Sequence, residues 1–281
     1  MDNPEPLNID YPNAAPVIAK FVYPDWKSLY KLFFMFILYS IVGAMVLVFF
    51  WRDAKDWAIP TVKSLSNLVL YIITMLLTIR YAIRKSNKQS FSTFNFSFNR
   101  IPGWLVPVII ISALALIVGL ERISSLIPMP EYVQKIFEKT FTKNVFSLVT
   151  AIIAAPILEE ILCRGIILKG LLKNYSPRTA ILISAIFFGV IHLNPWQALT
   201  GFCAGLFLGW IFYKTQSVIP GIIIHATINI TASLFLFLPK HQRGLFNLLG
   251  MPYYILLCVC ATLIFVGGCV IIQKKTLPTT D

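Results

Sequence analysis

Apolar residues fall along this chain in about eight runs long enough to cross a bilayer. They lie near 30–51, 64–83, 104–121, 145–172, 177–193, 196–214, 217–238 and 252–273. The fifth is short and the fourth long. The pattern predicts an all-α fold, a polytopic transmembrane helical bundle of about eight spans, because in lipid a segment must satisfy its own backbone. Between the third and fourth runs, EYVQKIFEKTFTK (131–143) places Val133, Ile136, Phe137 and Phe141 on one helical face with charges opposite. That spacing predicts an interfacial helix lying on the bilayer. The stretch FSTFNFSF (91–98) alternates aromatic and polar residues, as a strand-like interfacial segment or an adhesive loop would. No internal repeat and no soluble second domain stand out. The expected organisation is a polar tail over 1–29, three spans and the interfacial helix over 30–144, a core of four spans over 145–238, and a last span with its tail over 239–281.

Composition agrees. Hydrophobic residues make up 57% of the 281 and charged residues 13%, about half the charged share of a soluble domain, and mean hydropathy is +0.76. The net charge of +12 does not point to nucleic acid, because the basic residues gather at span ends, where loops and anionic headgroups favour them. With alternating spans, fourteen Lys and Arg fall on the side of the N-terminus and nine on the other, Arg164 being the remaining one of the 24. This bias places both termini in the cytoplasm. The first 25 residues hold Asp2, Glu5, Asp10 and Asp25 and five prolines, unlike the basic start of a cleaved signal peptide. The five cysteines, Cys163, Cys203, Cys258, Cys260 and Cys269, all lie in apolar runs without disulfide or metal spacing, as small packing residues. Gly201, Gly205 and Gly209 form a stripe on the sixth run, which suits close helix packing; a substrate path along the groove is the alternative.

Two adjacent glutamates, Glu159 and Glu160, interrupt the apolar run Val145–Leu172, four residues before Arg164. A charge at the bilayer centre costs about 2.5–3.5 kcal/mol even on insertion scales. Only three histidines exist; His192 closes the fifth run and His225 sits in the seventh, with Asn229 one turn later. His241, in a loop, reads as an ordinary structural histidine. Polar groups in lipid seek one another or a wet cavity, so these six side chains from three spans are expected to share one. There they can activate a water by general base catalysis or bind a metal that does so. Arg164 is expected to pair with Glu160. Adjacent helical residues point about 100° apart, which leaves Glu159 to take a proton from water. Asn229 and a histidine can stabilise an oxyanion.

Three short patterns in order carry a family resemblance: EExxxR as Glu159-Glu160-Ile161-Leu162-Cys163-Arg164, FxxxH as Phe188-Gly189-Val190-Ile191-His192, and HxxxN as His225-Ala226-Thr227-Ile228-Asn229. Over about 145–235 the chain resembles the CPBP intramembrane endopeptidases, the group of CAAX proteases and bacteriocin-processing or Abi proteins. The resemblance implies a membrane-embedded endopeptidase acting on a peptide or protein substrate, in eukaryotes a prenylated one. It implies that Glu159 activates the water, Glu160 and Arg164 support it, and His192, His225 and Asn229 complete the site. The family has been described both as metalloproteases and as metal-independent glutamate proteases. A zinc ion would take Glu159, His192 and His225 as its three ligands, but no HExxH helix is present. The site is expected to open to the cytoplasm or laterally to lipid, and the protein to sit in a bacterial plasma membrane. Two other classes stay open: a catalytically silent immunity or binding protein on the same scaffold, and a proton-coupled transporter. Nothing in the sequence identifies the substrate, the cleavage position or the oligomeric state.

Overall fold

The computed structural model describes residues 22–52, 60–90, 94–124, 127–140 and 142–276, and their regular structure is entirely helical. The helices are α1 (Trp26–Trp51), α2 (Pro60–Ser90), α3 (Leu105–Ser124), α4 (Glu131–Thr140), α5 (Val145–Leu171), α6 (Pro177–Val190), α7 (Pro195–Thr215), α8 (Ile219–Leu234), the short α9 (Leu245–Leu249) and α10 (Met251–Lys275). Among the described residues, seven helices are long and apolar enough to span a membrane, and the chain is an integral membrane protein. The fifth predicted crossing is α6. At 14 residues it is about 21 Å long, short of the roughly 30 Å hydrocarbon core.

Local sequence sets the helix limits. Asp25 Oδ1 accepts from Ser28 N at 2.9 Å and starts α1. Asn144 Oδ1 accepts from Phe146 N at 2.9 Å and starts α5. Pro177 and Pro195 open α6 and α7, the position where a missing N–H costs nothing. Between those two helices Leu193 takes φ 58, a left-handed conformation that a branched side chain seldom adopts. Asn194 holds the turn: Oδ1 accepts from Gln197 N at 2.8 Å, and Nδ2 donates to His192 O at 2.9 Å.

α5 is the central element. Its second half buries Leu162, Cys163, Ile166, Ile167, Leu168 and Leu171 almost completely. Its backbone is not uniform: Thr150–Ala154 and Ile161–Leu168 are π-helical, with the α-helical turn Ala155–Glu160 between them. The first wide turn precedes Pro156, whose ring cannot fit under the carbonyl of Ile152 in a regular α-helix. α6 and α7 form a tight antiparallel pair, and α3 packs on α8 and α10. The Gly201–Gly209 stripe faces α6 and the histidine that follows it; none of the three glycines lines the cavity described below.

The helices pass in alternating directions. On one face lie the chain start, the end of α5 and the 216–218 turn: Asn174 clamps the Val22 backbone, with Val22 N donating to Oδ1 at 2.9 Å and Nδ2 donating to Val22 O at 2.6 Å. The predicted aromatic segment falls here. Residues 91–93 are outside the described residues, and 94–98 form a pinned loop, not a strand: Asn95 O accepts from Lys169 Nζ at 2.7 Å and Ser97 O from Val218 N at 2.8 Å. On the opposite face lie 127–140, 142–144, 191–194 and 235–250, tied by Trp196 Nε1 donating to Ile127 O at 3.2 Å and by Phe246 N donating to Glu121 Oε1 at 3.2 Å. Of the expected tail, residues 1–21 are outside the described residues. The predicted interfacial helix is α4, on which Val133 is buried and Tyr132 and Lys135 are exposed. Phe141 lies outside the described residues, as do the side chains of Ile136 and Phe137.

The face assignment makes a direct prediction. In a cysteine-free protein in sealed vesicles, cysteines substituted for Lys143 and for Thr276 react with an impermeant maleimide from opposite sides of the membrane. Labelling of both from one side would overturn this path of the chain.

Candidate active site

The two glutamates of α5 point apart. Glu160 is fully buried, and its Oε1 accepts from Arg164 Nη1 at 2.8 Å. His225 Nδ1 lies 3.3 Å from the same oxygen. Arg164 is also fully buried. Its Nη2 donates to Gly205 O at 3.2 Å, and its guanidinium sits 4.3 Å over the Phe188 ring. The ring of His192, at 5.3 Å, and that of His225, at 5.5 Å, meet Phe188 edge to face. One aromatic side chain therefore touches the guanidinium and both imidazoles, a favourable use of its negative face and positive edge.

Glu159 faces the other way. Its Oε1 accepts from the Tyr71 hydroxyl at 2.8 Å, and its buried Oε2 has no protein partner. Glu159 lines a cavity of about 1230 Å³, together with His192, His225, Asn229 and Tyr71. The cavity runs from Glu159 and Met75 up to Gln134, Lys143 and Arg243. Glu160 and Arg164 do not line it. Of the six predicted site residues, four are brought to one cavity and two stand behind it as a buried ion pair.

The hydrogen bonds fix which atoms are available. His192 Nδ1 lies 2.7 Å from Phe188 O. A carbonyl only accepts, so Nδ1 carries the hydrogen and Nε2 is the nitrogen left for chemistry. His225 Nδ1 is turned to Glu160, which likewise leaves Nε2. Asn229 Nδ2 donates one hydrogen to Ala151 O at 2.7 Å and keeps a second. Ala151 lies in the wide turn before Pro156, so the π-helical backbone supplies an orienting acceptor, as irregular turns at functional sites often do. Among the described residues, no three His, Cys, Asp or Glu side chains converge as a metal-ligand set. Glu159, His192 and His225 as they stand do not fit the zinc site that the sequence left open.

Two contributors were not among the predicted site residues. Tyr71 belongs to α2, far from the three motifs in sequence, and a tyrosine in an apolar span carries no pattern of its own; only the fold reveals it. Gly221 opens α8 against α5, where a Cβ would lie 2.5 Å from Glu160 Oε2. Its spacing four residues before His225 puts it on the motif face, a signal that was present in the sequence. The cavity reaches the face that bears 127–140, 142–144 and 235–244, opposite the chain ends. Cytoplasmic termini and a cytoplasmic mouth therefore exclude one another.

The chain is thus a helical membrane protein with a buried carboxylate, two imidazoles and an amide on one internal cavity. Residues 141–231 match the family model Rce1-like, described as Type II CAAX prenyl endopeptidase Rce1-like, a match to the CPBP/CAAX protease family over this segment. No curated protein and no solved structure matches the chain.

Two substitutions test this geometry. Gly221→Ala is expected to overpack Glu160 and to lower stability by about 1–3 kcal/mol, read as a drop in melting temperature in detergent. Arg164→Ala leaves an uncompensated buried carboxylate and is expected to cost more, about 3–5 kcal/mol.

Proposed function

We propose that this protein is an intramembrane endopeptidase that hydrolyses a peptide bond of a membrane-associated substrate with water activated by Glu159. The observation that carries the reading is Glu159 itself: a buried carboxylate anchored at Oε1 by Tyr71, with Oε2 unbonded, on a cavity it shares with two imidazoles and an amide. The family match supports the same class.

Glu159 Oε2 takes a proton from water as the oxygen attacks the scissile carbonyl carbon. The carbonyl oxygen becomes an oxyanion, and hydrogen-bond donors set around the cavity before reaction stabilise it. The free Asn229 N–H is one such donor. An imidazole Nε2 is the other, donating when the ring carries both hydrogens. The tetrahedral centre then expels the amine as the carbon–nitrogen bond breaks, and Glu159 returns its proton to that leaving group. Glu160 and Arg164 touch no substrate atom in this scheme. They hold His225 through Glu160 Oε1, and the Phe188 ring, stacked on Arg164, holds His192. The cavity's apolar wall, including Phe36, Met75, Met129, Ile191 and Leu236, suits a hydrophobic substrate segment.

The test is cleavage of a panel of hydrophobic peptides by purified protein. Glu159→Gln is expected to lower kcat by about 10²–10⁴-fold, the usual contribution of a general base, with the protein still inserted and folded. Full activity in Glu159→Gln would refute the assignment. Tyr71→Phe removes one hydrogen bond to a charged group, about 1.5–3 kcal/mol. It is expected to lower kcat by roughly tenfold or more with KM little changed. Activity is expected to persist in 1,10-phenanthroline. Loss under the chelator with recovery on adding zinc would show that Glu159 and the histidines converge on a metal during turnover.

A further inference from the structure

The mouth of the cavity carries two cations that the hydrolytic scheme does not use. Lys143 and Arg243 line the same cavity as Glu159. Arg243 is aimed by the turn after α8: Nε donates to Leu238 O and Nη2 to Leu236 O, each at 3.3 Å. Lys143 Nζ sits 5.4 Å from the centre of the Phe237 ring, on the same turn. Among the described residues, neither cation makes an ion pair with a carboxylate. Among the described residues, Glu159 is the only acidic side chain on the cavity wall. Among the described residues the cavity is therefore polarised, with one carboxylate at depth and two cations without an acidic partner at the mouth.

We propose that Lys143 and Arg243 form an anion subsite that binds a carboxylate of the substrate peptide. This rests on the endopeptidase reading for the identity of the ligand, since a peptide is what the cavity would hold. Arg243 presents a planar fork suited to a carboxylate, and Lys143 adds a mobile point charge. The register follows from α8. From His225 to Leu236 the helix and its last turn climb about 16 Å, at 1.5 Å per residue. An extended peptide advances about 3.3 Å per residue, so the bound carboxylate lies about four or five residues from the bond held beside His225. Two sources supply that group: the free C-terminus of a short tail, or an Asp or Glu side chain at the same distance. A peptide lacking both leaves the cations without a partner and binds more weakly.

The experiment measures binding, independently of turnover. Three fluorescein-labelled hydrophobic decapeptides are titrated by anisotropy into the Glu159→Gln protein in phosphatidylcholine nanodiscs: a free acid, its C-terminal amide, and the amide with aspartate as last residue. The free acid is expected to bind about tenfold or more tightly than the neutral amide, the factor that about 1.4 kcal/mol gives. The preference is expected to vanish when Lys143→Gln and Arg243→Gln are added. If the aspartate amide binds like the acid, any carboxylate at that distance serves; if it binds like the neutral amide, the terminal carboxylate is the ligand. Equal affinity for all three, absence of binding, or a preference that survives the double substitution would overturn the subsite. A charge preference in peptides that the protein with Glu159 intact never cleaves would instead sink the endopeptidase reading and leave the subsite standing.

Discussion

Glu160 and Arg164 form an ion pair with no exposure to solvent, and the site depends on how that pair is held. Two charges out of water are costly unless further bonds meet them. Here Gly205 supplies a carbonyl, Phe188 a ring face and His225 a ring nitrogen. Each partner comes from a different helix, so α5, α6, α7 and α8 are drawn together by one electrostatic requirement. Gly221 allows α8 close enough for this, since any Cβ there would meet Glu160. The same pair then fixes what surrounds it. Phe188, stacked on the guanidinium, positions both imidazoles at its edge.

The division between the two carboxylates follows from their place on α5. Adjacent helical residues diverge by about 100°, and the α-helical turn Ala155–Glu160, set between two π-helical stretches, turns one inward and one toward α2. Glu160 is neutralised by Arg164 and enclosed. Glu159 receives only a neutral phenol on one oxygen. A carboxylate held at one oxygen by a hydroxyl keeps its other oxygen open to accept, which a general base requires. Had Arg164 met Glu159, the cation would have occupied the oxygen that must reach water.

Much of this was legible in the sequence because lipid makes polar residues conspicuous. Glu159, Glu160, Arg164, His192, His225 and Asn229 could be singled out since an apolar run gives them no other reason to be there, and the i, i+4 spacing of Glu160 and Arg164 foretold their bond. Other features needed the third dimension. Tyr71 is amphipathic and unremarkable in a span, so its role appears only when α2 packs beside α5. The fifth apolar run, read to residue 193, outlasts α6, which ends at Val190 because His192 and Leu193 already belong to the turn that Asn194 holds. The wide turns of α5 leave no periodicity to detect; Pro156 marks the first and nothing marks the second. A three-ligand metal set was compatible with residue types alone, and side-chain placement does not assemble it.

Sidedness is the point at which sequence and structure constrain each other most. The excess of Lys and Arg on the side of the termini favours a cytoplasmic location for that side, fourteen against nine. The cavity opens to the other. Lys143 and Arg243 count among the nine, and both line the cavity. On this path of the chain the residues at the cavity's mouth, Lys143 and Arg243, lie on the face opposite the chain ends.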